Sequence, residues 1–234
     1  MAKLRLDSDN LPRLEKILGY TFKDPNLLRQ AISHRSYCAN HNERLEFLGD
    51  AILGFIIADE LYQRFPHASE GQMTRLRSNL VKGKTLAKLA LKLSLGDYLL
   101  LGAGELKSGG FRRESILADA FEAIVAGIYL EVGIEACRDR LMCWYETLLN
   151  EADPTQITKD PKTRLQEQMQ SLKLPLPHYE TLDIRGKDHE QQFEVQCTCL
   201  GNDKIQGCST TAIASSRRQA ESLAAEKALQ VLNN

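Results

Sequence analysis

Residues 42–58 read NERLEFLGDAILGFIIA. Wound as a helix at about 100° per residue, this stretch gathers Glu43, Glu46 and Asp50 within roughly 60° of one another, with Leu45, Leu48 and Ile52 on the opposite side. From Ala51 to Ala58 every residue is apolar or glycine, a pattern that predicts a helix buried on all sides rather than lying on a surface. The acids therefore stand where a core helix meets a cleft. Carboxylates crowded in such a place repel one another unless a cation joins them.

Residues 116–130, ILADAFEAIVAGIYL, repeat the theme, with Asp119 and Glu122 as their only charges. The two are spaced i, i+3 and so share a helix face. Fifteen residues are too few to span a bilayer, so a second core helix is expected. Buried, unpaired carboxylates cost several kcal/mol each. Arg or Lys partners from elsewhere are the plain structural alternative, but two acidic pairs in two core helices favour a metal site. An all-carboxylate ligand set selects a hard cation, Mg²⁺ or Mn²⁺, over zinc. The chain holds no Ser-His-Asp or Cys-His arrangement and no glycine-rich phosphate loop leading into Lys and Ser/Thr. The chemistry that fits is metal-assisted hydrolysis, and at this level the substrate stays open. His34, Cys38 and His41 sit at ligand-like intervals, but with no fourth ligand nearby they read as ordinary polar and core residues.

Outward from these two segments, residues 1 to about 152 read as helical almost throughout. Apolar residues at helical spacing predict helices over Leu11–Leu18, Asn26–Ile32, Glu43–Phe65, Met73–Val81, Thr85–Leu93, Glu114–Glu131 and Gly133–Asn150. Gly and Pro mark the breaks. Residues 153–159 are polar, hold a proline and read as a linker. Then the period changes: a helix near Lys162–Leu172, strands over Pro177–Arg185, Gln191–Leu200 and Lys204–Ala212, and a last helix, Ser216–Leu232. That α-β-β-β-α order implies an antiparallel sheet with both helices on one face.

Composition constrains function only loosely. With 43% hydrophobic and 26% charged residues and a net charge of −1, the chain reads as globular and not as a basic nucleic-acid binder; any such surface must be a local patch. Residues 160–234 carry 9 Lys and Arg against 10 Asp and Glu. The six cysteines lack C-x-x-C spacing and are expected to be reduced thiols. No apolar run follows the N-terminal residues and none reaches bilayer length, so a cytoplasmic protein with no membrane contact is expected.

NERLEFLGDAIL at residues 42–53 resembles the ribonuclease III family motif nearly letter for letter. HRSY at 34–37, EGQMTRLRSNLV at 70–81 and ESILADAFE at 114–122 resemble three further blocks of that family, in the same order. The resemblance covers essentially the whole chain. It implies a mainly α fold: an all-helical endonuclease and dimerisation domain over 1–152, then a small α+β double-stranded RNA-binding domain over 160–234. It also implies that Glu46, Asp119 and Glu122 bind Mg²⁺, with Mn²⁺ as a substitute, and that Asp50 acts with Glu122 as a catalytic residue. Glu43 and Glu70 match acids with supporting roles, in substrate contact or across a dimer. No small-molecule cofactor is implied.

The tail resembles a double-stranded RNA-binding domain through DPKTRLQEQMQ (160–170), GKDHEQQF (186–193) and SSRRQAESLAAEKAL (215–229). That resemblance assigns RNA contacts to Thr163, Gln166, Glu167, His189, Ser216, Arg217 and Arg218. The physics agrees, because cations at a helix N-terminus favour phosphate and A-form RNA offers chiefly phosphates and 2′-hydroxyls. Glu221 stands where many relatives carry a third basic residue. The whole implies a homodimeric endonuclease cutting both strands of double-stranded RNA, in ribosomal RNA precursors and structured messages, and leaving 5′-phosphate and 3′-hydroxyl ends. The alternative is a non-catalytic double-stranded RNA-binding protein on the same fold, which loss of a central carboxylate would mark; none is lost. A helical prenyl-transferring enzyme would need DDxxD repeats, which are absent.

Overall fold

In the computed structural model, which describes residues 10–155, 160–186, 191–202 and 205–233, the chain divides into two units, Met1–Ile157 and Thr158–Asn234. The described elements of the first are helical: α1 (Leu11–Leu18), α2 (Pro25–Ala31), α3 (Glu43–Arg64), α4 (Glu70–Val81), α5 (Gly83–Lys92), α6 (Ala103–Lys107) and α7 (Glu114–Asn150). The first half of α7 is its axis. From Ile116 to Ile128 all residues but Asp119 and Glu122 are buried, and α3 and α5 pack against it. Gly133, at φ 77° and ψ −175°, interrupts α7 where two helices were expected, a backbone shape that glycine tolerates and other residues resist.

Two local differences from the expected elements have clear causes. α4 begins at Glu70, three residues before the apolar period, because Ser69 caps it. The Ser69 Oγ accepts from the Gln72 N–H at 3.4 Å, and the Ser69 N–H donates to Gln72 Oε1 at 2.9 Å. That reciprocal pair satisfies two otherwise orphaned donors.

The second difference is in α3, which is not buried on all sides. It buries Leu45, Gly49, Ile52, Leu53, Ile56, Ile57 and Leu61 and leaves Phe47, Ala51, Phe55 and Tyr62 exposed, Phe47 at 82%. Their spacing is helical, so they form one apolar stripe. An apolar period says that a face avoids water; it does not say whether the same chain covers it.

The second unit has α8 (Pro161–Ser171), β1 (His178–Arg185), β2 (Gln192–Cys199), β3 (Cys208–Ala214) and α9 (Arg217–Leu232). The antiparallel sheet runs β1-β2-β3. Leu165 and Met169 of α8 join Ala224, Ala225, Ala228 and Leu229 of α9 over the face that carries Cys197, Cys199 and Ala212. β3 starts at Cys208, four residues after its expected start. The turn closes around glycine instead, with Cβ-free Gly201 and Gly207 in backbone contact, and the strand pairs Cys199 with Cys208 through to Phe193 with Ala214.

Candidate metal centre and RNA-facing residues

Where α3 crosses α7, a Cβ built on Gly49 would lie 1.9 Å from the carbonyl oxygen of Glu122. Only glycine permits that approach. Gly49 directly precedes Asp50, so a close contact of the two helices falls among their acids.

The result is a convergence: one carboxylate oxygen each from Glu46, Asp119 and Glu122 lies within 4.8 Å of the others, and all three side chains are half-buried. The charges strain one another. Burial, and then the neighbouring Asp50, Glu46 and Asp119, push the Glu122 carboxyl up to about 8. Glu46 is raised by burial and by Asp119 and Glu43, against Arg35. Asp119 is raised by burial and Glu43, against His34 and Arg35. Among the described residues no Lys or Arg forms an ion pair with any of the three; Arg35 acts on Glu46 and Asp119 from a distance. Three partly desolvated carboxylates with oxygen-only donors fit a hard divalent cation.

Asp50 is exposed and stands outside the trio, felt by it as charge. Glu43 is also exposed and accepts from Arg35 Nη1 at 3.3 Å. Beside Glu46 and Asp119 opens a cleft of about 480 Å³, also walled by His34, Arg35, Glu43 and Arg113. Ser36 holds one wall: the Gly102 N–H donates to its Oγ at 3.0 Å, and that Oγ lies 2.8 Å from His34 Nδ1. Opposite, Arg113 pairs with Glu105 at 2.6 Å. Glu70 is elsewhere. Its Oε1 accepts from Thr74 Oγ1 at 2.7 Å, and it shares a groove with Tyr62 of the exposed stripe.

Sequence reasoning missed Gly49, Arg113 and Glu105 as parts of this site. A glycine inside an otherwise buried helix, between two acids, was the available signal for the first. Nothing local marked the other two.

In the second unit Thr163, Gln166 and Glu167 lie exposed on one face of α8. The Ser216 Oγ accepts from the Gln219 N–H at 3.3 Å and caps α9. Arg217 and Arg218 follow it, both exposed. Lys162 Nζ meets Glu221 Oε2 at 2.5 Å, which ties the start of α8 to the start of α9. His189 lies outside the described residues.

A family model described as Ribonuclease-III-like matches residues 24–147, and one described as Double-stranded RNA binding motif matches 161–232. Proteins named Ribonuclease 3 from Shewanella frigidimarina and Pseudomonas aeruginosa are each 54% identical, over 96% of this chain and 97% and 96% of theirs. Among solved structures, the nuclease domain of ribonuclease III from Campylobacter jejuni superposes with a TM-score of 0.59 at 41% identity, over 62% of this chain and 99% of that one. A second structure of that domain, described for flexibility in a region involved in dimer formation, gives 0.58 at 42% identity, over 59% and 97%.

Proposed function

Since the chain belongs to the ribonuclease III family and is an endoribonuclease of double-stranded RNA, we propose that Glu46, Asp119 and Glu122 hold Mg²⁺, or Mn²⁺ in its place, and that cutting occurs beside them. The observation that carries this is the meeting of three half-buried carboxylates within 4.8 Å, none of them in an ion pair with a Lys or Arg among the described residues. Magnesium bound there supplies positive charge to the phosphodiester and lowers the pKa of water. The protein's own groups do the rest. Glu122 gives up the proton that burial and its neighbours would otherwise keep on it, so ion binding and proton release are coupled. Asp50, exposed at the rim and outside the ligand set, accepts the proton of the attacking water. Attack with departure of the 3′-oxygen leaves 5′-phosphate and 3′-hydroxyl ends.

One chain brings one such cluster, and a duplex has two strands. Two copies joined about a two-fold axis provide one cluster per strand. The stripe of Phe47, Ala51, Phe55 and Tyr62 is an apolar surface suited to self-association, and the Campylobacter relative's dimer-forming region supports this homodimer. Glu70, next to Tyr62, then acts from the interface, and Glu43 acts at the substrate edge of the cleft.

On this reading residues 1–152 cut and dimerise, 153–159 tether, and 160–234 grip the duplex through Thr163, Gln166, Glu167, His189, Ser216, Arg217 and Arg218. The substrates are ribosomal RNA precursors and structured messages in the cytoplasm. All six cysteines are free thiols, in keeping with a reducing compartment. No described helix is long and apolar enough to cross a membrane.

The test is incubation of long duplex RNA with the purified protein in Mg²⁺ and in EDTA, beside a Glu122→Gln variant. Short duplex products that need the metal and disappear in the variant, while duplex binding persists, are expected. Binding without cleavage under any divalent ion would sink the reading.

A further inference from the structure

The carboxylate of Glu221 is wedged between α8 and α9, with its side chain only 12% exposed. Its Oε2 receives Lys162 Nζ at 2.5 Å and its Oε1 receives the Arg217 Nε–H at 2.9 Å. Lys162 is fixed from the other side by the face of Tyr179, 4.5 Å from the ring centroid. Burial works against the charge on Glu221, yet these two cations hold its carboxyl below the usual carboxylate range. The negative charge is therefore present whenever RNA is met near neutral pH.

Four cations stand at the starts of the two helices: Lys162, Arg164, Arg217 and Arg218. Against them stand Asp160, which caps α8, and Glu221, so the local sum is four minus two, or +2. The subtraction is uneven. Arg218 forms no ion pair with a described carboxylate, whereas Lys162 and Arg217 already donate to one. An RNA phosphate approaching Arg217 meets a guanidinium whose Nε–H is occupied, with a carboxylate behind it. Carboxylate and phosphate oxygens make the same kind of charge-assisted contact to arginine, so the two compete for one donor. The Arg217 side chain is 62% exposed, and so open an ion pair is weak enough to exchange. The Lys162 pair is more sheltered and stays.

We propose that Glu221 is an internal substitute for RNA phosphate. It occupies Arg217 in the free protein and weakens the grip of the RNA-binding unit, and Arg217 passes from Glu221 to a backbone phosphate when duplex binds. The consequence is a tail that holds its substrate modestly and lets cut duplex go. The inference rests on the reading above that the surface formed by the starts of α8 and α9 binds double-stranded RNA.

The test is fluorescence anisotropy of a labelled duplex with the full-length chain in EDTA, where no cutting occurs, over a series of salt concentrations. Glu221→Gln keeps the shape and removes the charge. It is expected to tighten binding about three- to tenfold and to leave the log–log salt slope as it was, because Arg217 reaches the same phosphate in both proteins and only the competing carboxylate is gone. Unchanged or weaker binding by a variant that melts like the wild type overturns the inference and makes the carboxylate an organiser of the two cations. Should that variant melt early, Arg217→Gln and Arg218→Gln, both at exposed positions, replace it. Arg218→Gln must then lose more affinity than Arg217→Gln; equal losses, or the reverse order, overturn the inference. A wild-type chain that fails to bind duplex at all would instead overturn the RNA-binding reading, and this inference with it.

Discussion

Replacing Glu122 by Gln should make the metal-free protein more stable, not less, and only above acidic pH. In the folded chain the Glu122 carboxyl is pushed from 4.5 to about 8 by burial and by the charges of Asp50, Glu46 and Asp119. The folded state therefore holds this proton more tightly than the unfolded state does. That advantage is complete below pH 4.5, drains away as pH rises from 4.5 to about 8, and leaves a standing penalty above it. At about 1.4 kcal/mol per tenfold change in proton affinity, the ceiling is about 5 kcal/mol. The carboxyl is only half-buried, and screening by water brings the expected penalty to about 1–2 kcal/mol. Glutamine keeps the shape and carries no charge. In EDTA at about pH 9 the variant should melt roughly 2 to 8 °C above the wild type, and the two should coincide at about pH 4. Magnesium should reverse the order, because the wild type gains binding energy that the variant has forfeited. Calorimetric melts at the two pH values, with and without Mg²⁺, decide the matter. A variant that melts at or below the wild-type temperature in alkaline EDTA would refute the claim that these carboxylates strain one another.

Three other outcomes are expected. Gly49→Ala puts a methyl group 1.9 Å from the Glu122 carbonyl oxygen; forcing α3 off α7 should lower stability by about 1–3 kcal/mol and abolish cleavage, read by urea denaturation and duplex cutting. Phe47→Asp plants a charge in the exposed stripe of α3 and should shift the protein from dimer to monomer in size-exclusion chromatography with light scattering, whereas an unchanged mass would remove that face from the interface. Ser69→Ala breaks the reciprocal cap of α4 and should lower stability by about 1 kcal/mol while leaving the metal affinity as it was, measurable by denaturation and titration calorimetry.

Much of the site was legible because charge is conspicuous in an apolar helix. Asp119 and Glu122 are the only charges over residues 116–130, and Glu46 heads a core segment, so each could be singled out before any packing was known. Asp50 was harder. A helical wheel groups it with Glu43 and Glu46, yet the trio forms from Glu46, Asp119 and Glu122, and both Asp50 and Glu43 face solvent. A wheel describes one helix, and membership of the cluster depends on where a second helix crosses it. The α3 stripe failed for a related reason. Phe47 and Phe55 look like core residues in any periodicity, and only the neighbours that pack there, or do not, separate a buried face from an exposed one. The late start of β3 and the early start of α4 were set by a glycine turn and a capping box, local chemistry that overrides the apolar period.

The sequence by itself determined the long helices (though not the short α6 in the glycine-marked break at 102–110), where the fold changes from helix to sheet, and which carboxylates sit in apolar surroundings. Those are properties of the angle about one axis and of residue type, and both are written locally along the chain. Only the tertiary structure decided that acids about 70 residues apart meet within 4.8 Å, that Glu221 closes on Lys162 and Arg217, and that one side of α3 is left uncovered. Those are distances between elements. They depend on how closely two backbones approach, and at the acidic cluster that closeness turns on the missing Cβ of Gly49.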